Sequence, residues 1–282
     1  MKSHLPRTKL LGCLAAVLLG LPTRSAAGTQ IPLEKLAGPP AAGFAVHEVM
    51  AGEVPGVITE QVTIVGPARF SQPATSDENI VWFLLRGRGT VLMQDQTFPF
   101  AEETIARAPL GAPCEIAAAP GETVVAVRIR KKLTAEDRAD LPRLTLFQTT
   151  PYVQPFRSCP AYGEAIKSAR TVSRTLLPQD IVPRMAAGTV ETTGPDRVLR
   201  HQHPMLEQYF IGLAGNDAAV TADDQRVDFP ELSVLHIPLG SMHGAEVAAG
   251  KKLYYIWLDF FLTKEGQVWL KTHRPVTEAK AP

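Results

Sequence analysis

Two histidines stand one residue apart in His201-Gln202-His203, and Glu207 follows four positions after the second. A third histidine, His243, closes the turn Pro238-Leu239-Gly240-Ser241-Met242-His243. In an extended strand, side chains at i and i+2 share a face, so an ion beside that strand could take a nitrogen from each histidine. Three imidazoles and one carboxylate form a borderline donor set suited to a first-row divalent transition metal, namely Fe, Mn, Zn, Ni or Co. Such a set leaves one or two coordination positions open, and an open position separates a catalytic metal site from a structural one. The ion would polarise a carbonyl or enolate oxygen, or, as iron, hold O₂ beside a bound substrate.

The residues around this set offer less. Tyr209 shares the face of Glu207 in a regular strand and is expected to line the site, either bonding a ligand or filling the core. Gln208, on the opposite face, is expected to pack under a loop. In Leu253-Tyr254-Tyr255-Ile256-Trp257-Leu258-Asp259-Phe260-Phe261, apolar throughout except for Asp259, one face carries Tyr255, Trp257, Asp259 and Phe261. If that face looks inward, Asp259 becomes a proton acceptor or a partner for the metal ligands; if outward, a surface ion pair. Tyr209 and Asp259 are therefore the candidate catalytic residues. His236 reads as a satisfied core histidine. Arg197 and Arg200 flank the site, on a solvated face or facing an anionic substrate. Met205 and Met242 read as apolar wall.

The elements that must position these residues are strands. The 282 residues include 24 prolines and 21 glycines, which favours many short elements joined by turns. Gln61–Val65, Ile80–Leu85, Thr90–Met93 and Val124–Arg130 are β-branched or aromatic runs bounded by turn residues. The pattern pauses over 131–182, where a connector is expected to carry one or two short helices. The first is signalled by Thr134 with Asp137 three residues on. Strands resume near Arg184. The halves repeat: Trp82 and Phe210 lie 128 residues apart in like contexts, and Pro109 and Pro238 lie 129 apart. Internal duplication is the simplest explanation.

At these residues the chain resembles the cupin superfamily. Its first motif places a glycine before His-x-His, then three or four residues, then a Glu, and then a second glycine. Gly194, His201, His203, Glu207 and Gly215 follow it, each glycine displaced by one residue. Its second motif contains Pro-x-Gly-x-x-His, matched by Pro238, Gly240 and His243. The asparagine that often closes it is replaced by Val247. The resemblance implies an all-β bicupin, two jelly-roll β-barrels with the metal in the second. The expected organisation is a barrel over 28–130, a connector over 131–182, a metal-binding barrel over 183–270 and a tail over 271–282. The first repeat offers Gln72 or Pro73, Ala74 or Thr75, Glu78 or Asn79, and Cys114 at the ligand positions, so it is expected to hold no metal.

The resemblance does not fix a reaction, because this fold hosts many chemistries. An oxygenase or an isomerase/lyase acting on a small oxygen-rich molecule is one expectation. A non-catalytic metal- or ligand-binding protein is the other. The family also implies pairing as a homodimer. A formal charge of +1 and the lack of a basic stripe argue against a nucleic-acid partner. Lys2, Arg7 and Lys9, the apolar run Leu10–Leu21 and the small residues to Ala27 read as a signal peptide. A periplasmic or secreted protein without lasting membrane insertion follows. Export would remove Cys13 and leave Cys114 and Cys159 as a disulfide or as two buried thiols.

Overall fold

The computed structural model describes residues 30–144, 148–203 and 205–272. The expected signal peptide and nearly all of the tail lie outside them. No helix among the described residues is long and apolar enough to cross a membrane.

The chain opens with β1 (Leu33–Lys35). Nine strands follow: β2 (Gly43–Glu48), β3 (Val57–Val65), β4 (Arg69–Gln72), β5 (Glu78–Arg86), β6 (Gly89–Met93), β7 (Gln96–Phe100), β8 (Thr104–Arg107), β9 (Cys114–Ala118) and β10 (Thr123–Lys132). The connector holds α1 (Ala135–Asp140), β11 (Tyr152–Pro155) and β12 (Ala161–Tyr162). A second series begins with β13 (Val172–Val182), β14 (Met185–Thr193), β15 (Asp196–His201), β16 (Leu206–Gly212) and β17 (Asp217–Ala222). It ends with β18 (Gln225–Pro230), β19 (Ser233–Ile237), β20 (His243–Val247), β21 (Lys252–Phe261) and helix α2 (Lys264–Thr272).

Each series makes a larger and a smaller antiparallel sheet. The first orders β8-β5-β10-β3-β2 against β4-β9-β6-β7; the second orders β19-β16-β21-β14-β13 against β15-β20-β17-β18. The orders correspond strand for strand, as a duplication requires. Gly66 and Gly194 occupy equivalent places. In each, a Cβ would stand 1.9 Å from a backbone oxygen, of Ala119 and Ala248 respectively, so neither position accepts a side chain.

Each barrel closes over its own apolar interior, and the larger sheets pack face to face. That shared layer takes Val81, Phe83 and Ile129 from one barrel and Tyr209, Ile256 and Phe260 from the other. Hence β5, β16 and β21 are buried on both faces, and their runs show no regular alternation of apolar and polar residues.

Two expected boundaries move. Leu33–Lys35 pairs with β19, so a segment assigned to the first barrel adds a strand to the second. Reciprocally, β11 of the connector pairs with β8 of the first barrel. Each barrel's leading segment covers the other's sheet edge, which would otherwise present unpaired backbone groups. In addition, β13 is a full member of the second barrel, pairing with β14 from Val172 onward, so this barrel begins well before residue 183.

The expected helix start at Thr134 is present. The Asp137 N–H donates to Thr134 Oγ1 at 3.2 Å, and the Thr134 N–H donates to Asp137 Oδ2 at 3.0 Å. Cys114 and Cys159 are free buried thiols and form no bridge.

Candidate metal centre

His201 ends β15, and His243 begins β20 directly across from it. The register shifts between Val198 and His201, leaving Leu199 and Arg200 both exposed and His201 buried. This bulge resets the alternation and turns the imidazole inward. His203 follows two residues later, also buried. Ring centroids lie 4.8 Å apart for His201–His203, 4.3 Å for His201–His243 and 5.3 Å for His203–His243. One donor atom from each falls within 4.8 Å of the others.

Two tautomers are set by the backbone. His201 Nδ1 stands 2.9 Å from Leu199 O, and His243 Nδ1 stands 3.0 Å from Ser241 O. A carbonyl accepts, so each Nδ1 carries the hydrogen and each Nε2 presents a lone pair.

His201 and His203 sit on the wall of a cavity of about 460 Å³ in the second barrel, with His243 packed against both rings. Tyr255, Trp257 and Asp259 line it from β21, and Gln208 and Phe210 from β16. The odd face of β21 therefore looks inward, and Asp259 joins the site. Gln208 Nε2 donates to Asp259 Oδ1 at 2.7 Å. Burial pushes the Asp259 carboxyl up to about 7, against the Gln208 hydrogen bond.

The even face of β16 looks inward, which corrects two expectations. Glu207 points the other way, and its Oε2 lies 2.9 Å from His236 Nε2. The opposite His236 nitrogen, Nδ1, lies 2.8 Å from Glu53 Oε2. His236 is thus the satisfied histidine expected, and Glu207 is its partner rather than a metal ligand. Tyr209 also leaves the site, buried in the layer between the barrels with edge contacts to His236 and Phe260. Alternation left the face open because both faces of β16 are covered. Glu207→Ala should leave metal content unchanged and cost about 1–3 kcal/mol of stability. Elemental analysis beside urea unfolding reads both, and loss of metal would refute the outward placement.

Gln208 occupies the inward position instead. Its Oε1 is buried and accepts no hydrogen bond, while its Nε2 is held by Asp259. A buried amide oxygen on a residue that lines the same cavity as His201 and His203 suits a fourth ligand, so the residues present fit a divalent metal. Four residues lie between His203 and Gln208, a spacing the family motif permits as it does the three before Glu207, and that is the signal that points to Gln208.

Sequence spacing did not indicate the remaining wall, which comes from the connector. Tyr162, Glu164, Ile166 and Lys167 line the cavity. Lys167 Nζ contacts Glu164 Oε2 and donates to Ser173 Oγ at 3.0 Å. Burial lowers the Lys167 ammonium, and Glu164 opposes that shift. Arg200 lies outside the cavity, donating to the carbonyls of Asp223 and Met242. Arg197 is exposed on an outer groove, and neither Met205 nor Met242 lines the cavity.

No family model matches the sequence, and none of the curated proteins matches it. Solved structures do match in fold. Oxalate decarboxylase from Lactobacillus farciminis aligns with a TM-score of 0.58 at 13% identity, over 83% of this chain and 87% of that one. Procruciferin, an 11S globulin from Brassica napus, gives 0.63 at 9% identity, over 83% and 85%. A cupin 2 conserved barrel domain protein from Leptotrichia buccalis gives 0.56 at 10% identity, over 83% and 98%. This chain has the bicupin fold.

Within the bicupin, the first barrel is filled where the second is hollow. Gln72 pairs with Cys114 as His201 pairs with His243. Arg128 enters the interior, donating to Gln72 Oε1 and to Glu60 Oε2, the latter at 2.9 Å. Its guanidinium lies 4.9 Å from the Phe70 ring centroid and 5.3 Å from that of Trp82. About 10 Å³ of void remains. Burial pushes the Cys114 thiol up to about 12, so it stays protonated near neutrality.

Proposed function

We propose that this bicupin is an exported metalloenzyme acting on a small oxygen-rich molecule. A divalent transition metal would be held by His201, His203 and His243, with Gln208 as the fourth donor. The observation carrying this reading is the convergence of three buried imidazoles, two of them on the wall of a cavity of ligand size. When bound, the ion would supply Lewis-acid polarisation of a substrate oxygen. The chain's own residues would do the rest. The Asp259 carboxyl and the Lys167–Glu164 pair offer proton-transfer groups inside the cavity, and Trp257 and Tyr255 offer a flat wall. These groups favour an isomerase or lyase over an oxygenase. The oxalate decarboxylase neighbour supports an enzyme. The 11S globulin neighbour supports the alternative, a non-catalytic metal- or ligand-binding protein.

Elemental analysis of protein purified without a histidine tag tests the metal. About one equivalent of Fe, Mn, Co, Ni or Zn is expected. Less than about a tenth of an equivalent, unrecovered by reconstitution, would sink the reading. For export, the intact mass of the mature chain should begin at Gly28, next to the expected cleavage after Ala27. Edge strand β2 exposes Phe44 and Val46, which supports self-association as a homodimer, readable by light scattering.

A further inference from the structure

The connector supplies one wall of the second barrel's cavity, and its lysine is fixed there from both sides. The Lys167 N–H donates to Glu164 O at 3.1 Å, closing a tight turn. Lys167 bridges Val198 of β15 in antiparallel register, and the Leu199 N–H donates to Ile166 O at 2.8 Å. On the next residue, Ser168 Oγ donates to Asp196 Oδ2 at 2.7 Å. The backbone carrying Lys167 is thus stapled to the strand that ends in His201. A group held in this way meets a ligand without first having to be ordered.

The Lys167 side chain is 7% exposed and lines the cavity. An ammonium has three donors. Nζ contacts Glu164 Oε2 and donates to Ser173 Oγ at 3.0 Å, and it makes no third hydrogen bond to a described residue. Ser173 is buried, whereas the Glu164 side chain is 36% exposed. Glu164 therefore reaches water and can pass a proton from Nζ to it. The amine that remains keeps one N–H on Glu164 and one on Ser173, which leaves its lone pair for the cavity. Burial lowers the Lys167 ammonium, against the opposing pull of Glu164 and Asp259. Phe210, Tyr255 and Ile166 are buried around the same cavity and limit the water that reaches a bound group.

We propose that Lys167 is a nucleophile that captures a small aldehyde or ketone in this cavity as an imine. Nζ bonds to the carbonyl carbon, and the displaced electron pair on oxygen takes a proton. The carbinolamine then loses that oxygen as water while the C=N bond forms. Both hydrogens of the amine leave on the oxygen, relayed by Glu164, and nothing is oxidised or reduced. The step uses the cavity but needs no metal, so it stands or falls apart from the metal reading above.

The test uses the full chain as purified, with whatever metal it carries, at pH 7. Propanal and cyanoborohydride are added, and peptide mass mapping follows propylation of each lysine with time. The exposed Lys35 and Lys132 are almost wholly protonated at this pH. Lys167 should label at least about tenfold faster than these. Lys131, also buried but held on Asp137 at 3.0 Å, should stay unlabelled. Lys167→Arg keeps the charge and should lose the fast site alone. Labelling of Lys167 no faster than that of the exposed lysines overturns the proposal. Equally fast labelling of Lys131, or a fast site that persists in Lys167→Arg, overturns it too. If that variant fails to fold, the wild-type map decides by itself. Metal content, measured separately, tests the metal reading whichever way the labelling falls.

Discussion

His243→Ala should yield a folded chain that no longer retains its metal. His243 is 1% exposed, stands across from His201 in the β15–β20 pair, and holds its hydrogen on Nδ1 against Ser241 O. Truncation removes one of three imidazole donors, the other two of which line a cavity that already exists. The stability cost is therefore small beside the loss of binding. Outer partners of metal ligands alone are worth about 10- to 100-fold in affinity, so losing a ligand should exceed that. Elemental analysis and far-UV circular dichroism on the same sample separate loss of metal from loss of fold. Cys114→Ala supplies the control, because Cys114 occupies the equivalent place in the first barrel. It should change metal content not at all. A His243→Ala protein with wild-type stoichiometry would refute the assignment of the centre.

The parts of this site that were legible in sequence are those fixed by local chemistry. The His-x-His pair and the Pro-x-Gly-x-x-His turn announce themselves by residue type. The repeat at 128 to 129 residues announces the two barrels. Thr134 and Asp137 announce their helix because a capping box is a contact between near neighbours. Facing was not legible on β16. Its residues are buried toward both the barrel interior and the layer between barrels, so period-two alternation carries no hydrophobic contrast. Glu207 and Gln208 exchange roles as a result, and Tyr209 goes with Glu207. On β21 the acidic residue, Asp259, was read conditionally, and its pairing with Gln208 decides the face. The exchanged strands β1 and β11 were beyond reach because each is short and its partner lies in the other half of the chain. The register shifts in β13 broke its alternation and let it pass for connector. The cavity-lining residues Glu164 and Lys167 were missed because they lie between β12 and β13, where no strand alternation marks an inward face.

Asp137→Ala should cost about 3–5 kcal/mol, the range for removing one partner of a buried ion pair. Its side chain is fully buried and accepts four donors. Arg184 Nε lies 2.7 Å from Oδ1, and Arg184 Nη2 lies 3.0 Å from Oδ2. Lys131 Nζ and the Thr134 N–H each lie 3.0 Å from Oδ2. Lys131 is the last residue but one of β10 in the first barrel, Thr134 caps α1, and Arg184 turns between β13 and β14 of the second. Arg184 also donates to the carbonyls of Phe261 and Leu262. One carboxylate thus ties both barrels and the connector together. Truncation would leave two cations facing each other in a site that excludes water, and Lys131 would lose the group that opposes the lowering by burial. These bonds also set a pH dependence. Burial would raise the Asp137 carboxyl, but the bonds from Arg184, Thr134 and Lys131 outweigh it and hold it well below the usual carboxylate range. A depressed folded-state value stabilises the fold above the unfolded value of about 3.9 and ceases to do so as pH falls through the folded value. Wild type should therefore lose stability more steeply than Asp137→Asn as pH falls below about 4. Urea unfolding at a series of pH values reads the two slopes. Parallel slopes, or an Asp137→Ala midpoint close to wild type, would show that the two barrels are joined by their apolar layer without this carboxylate.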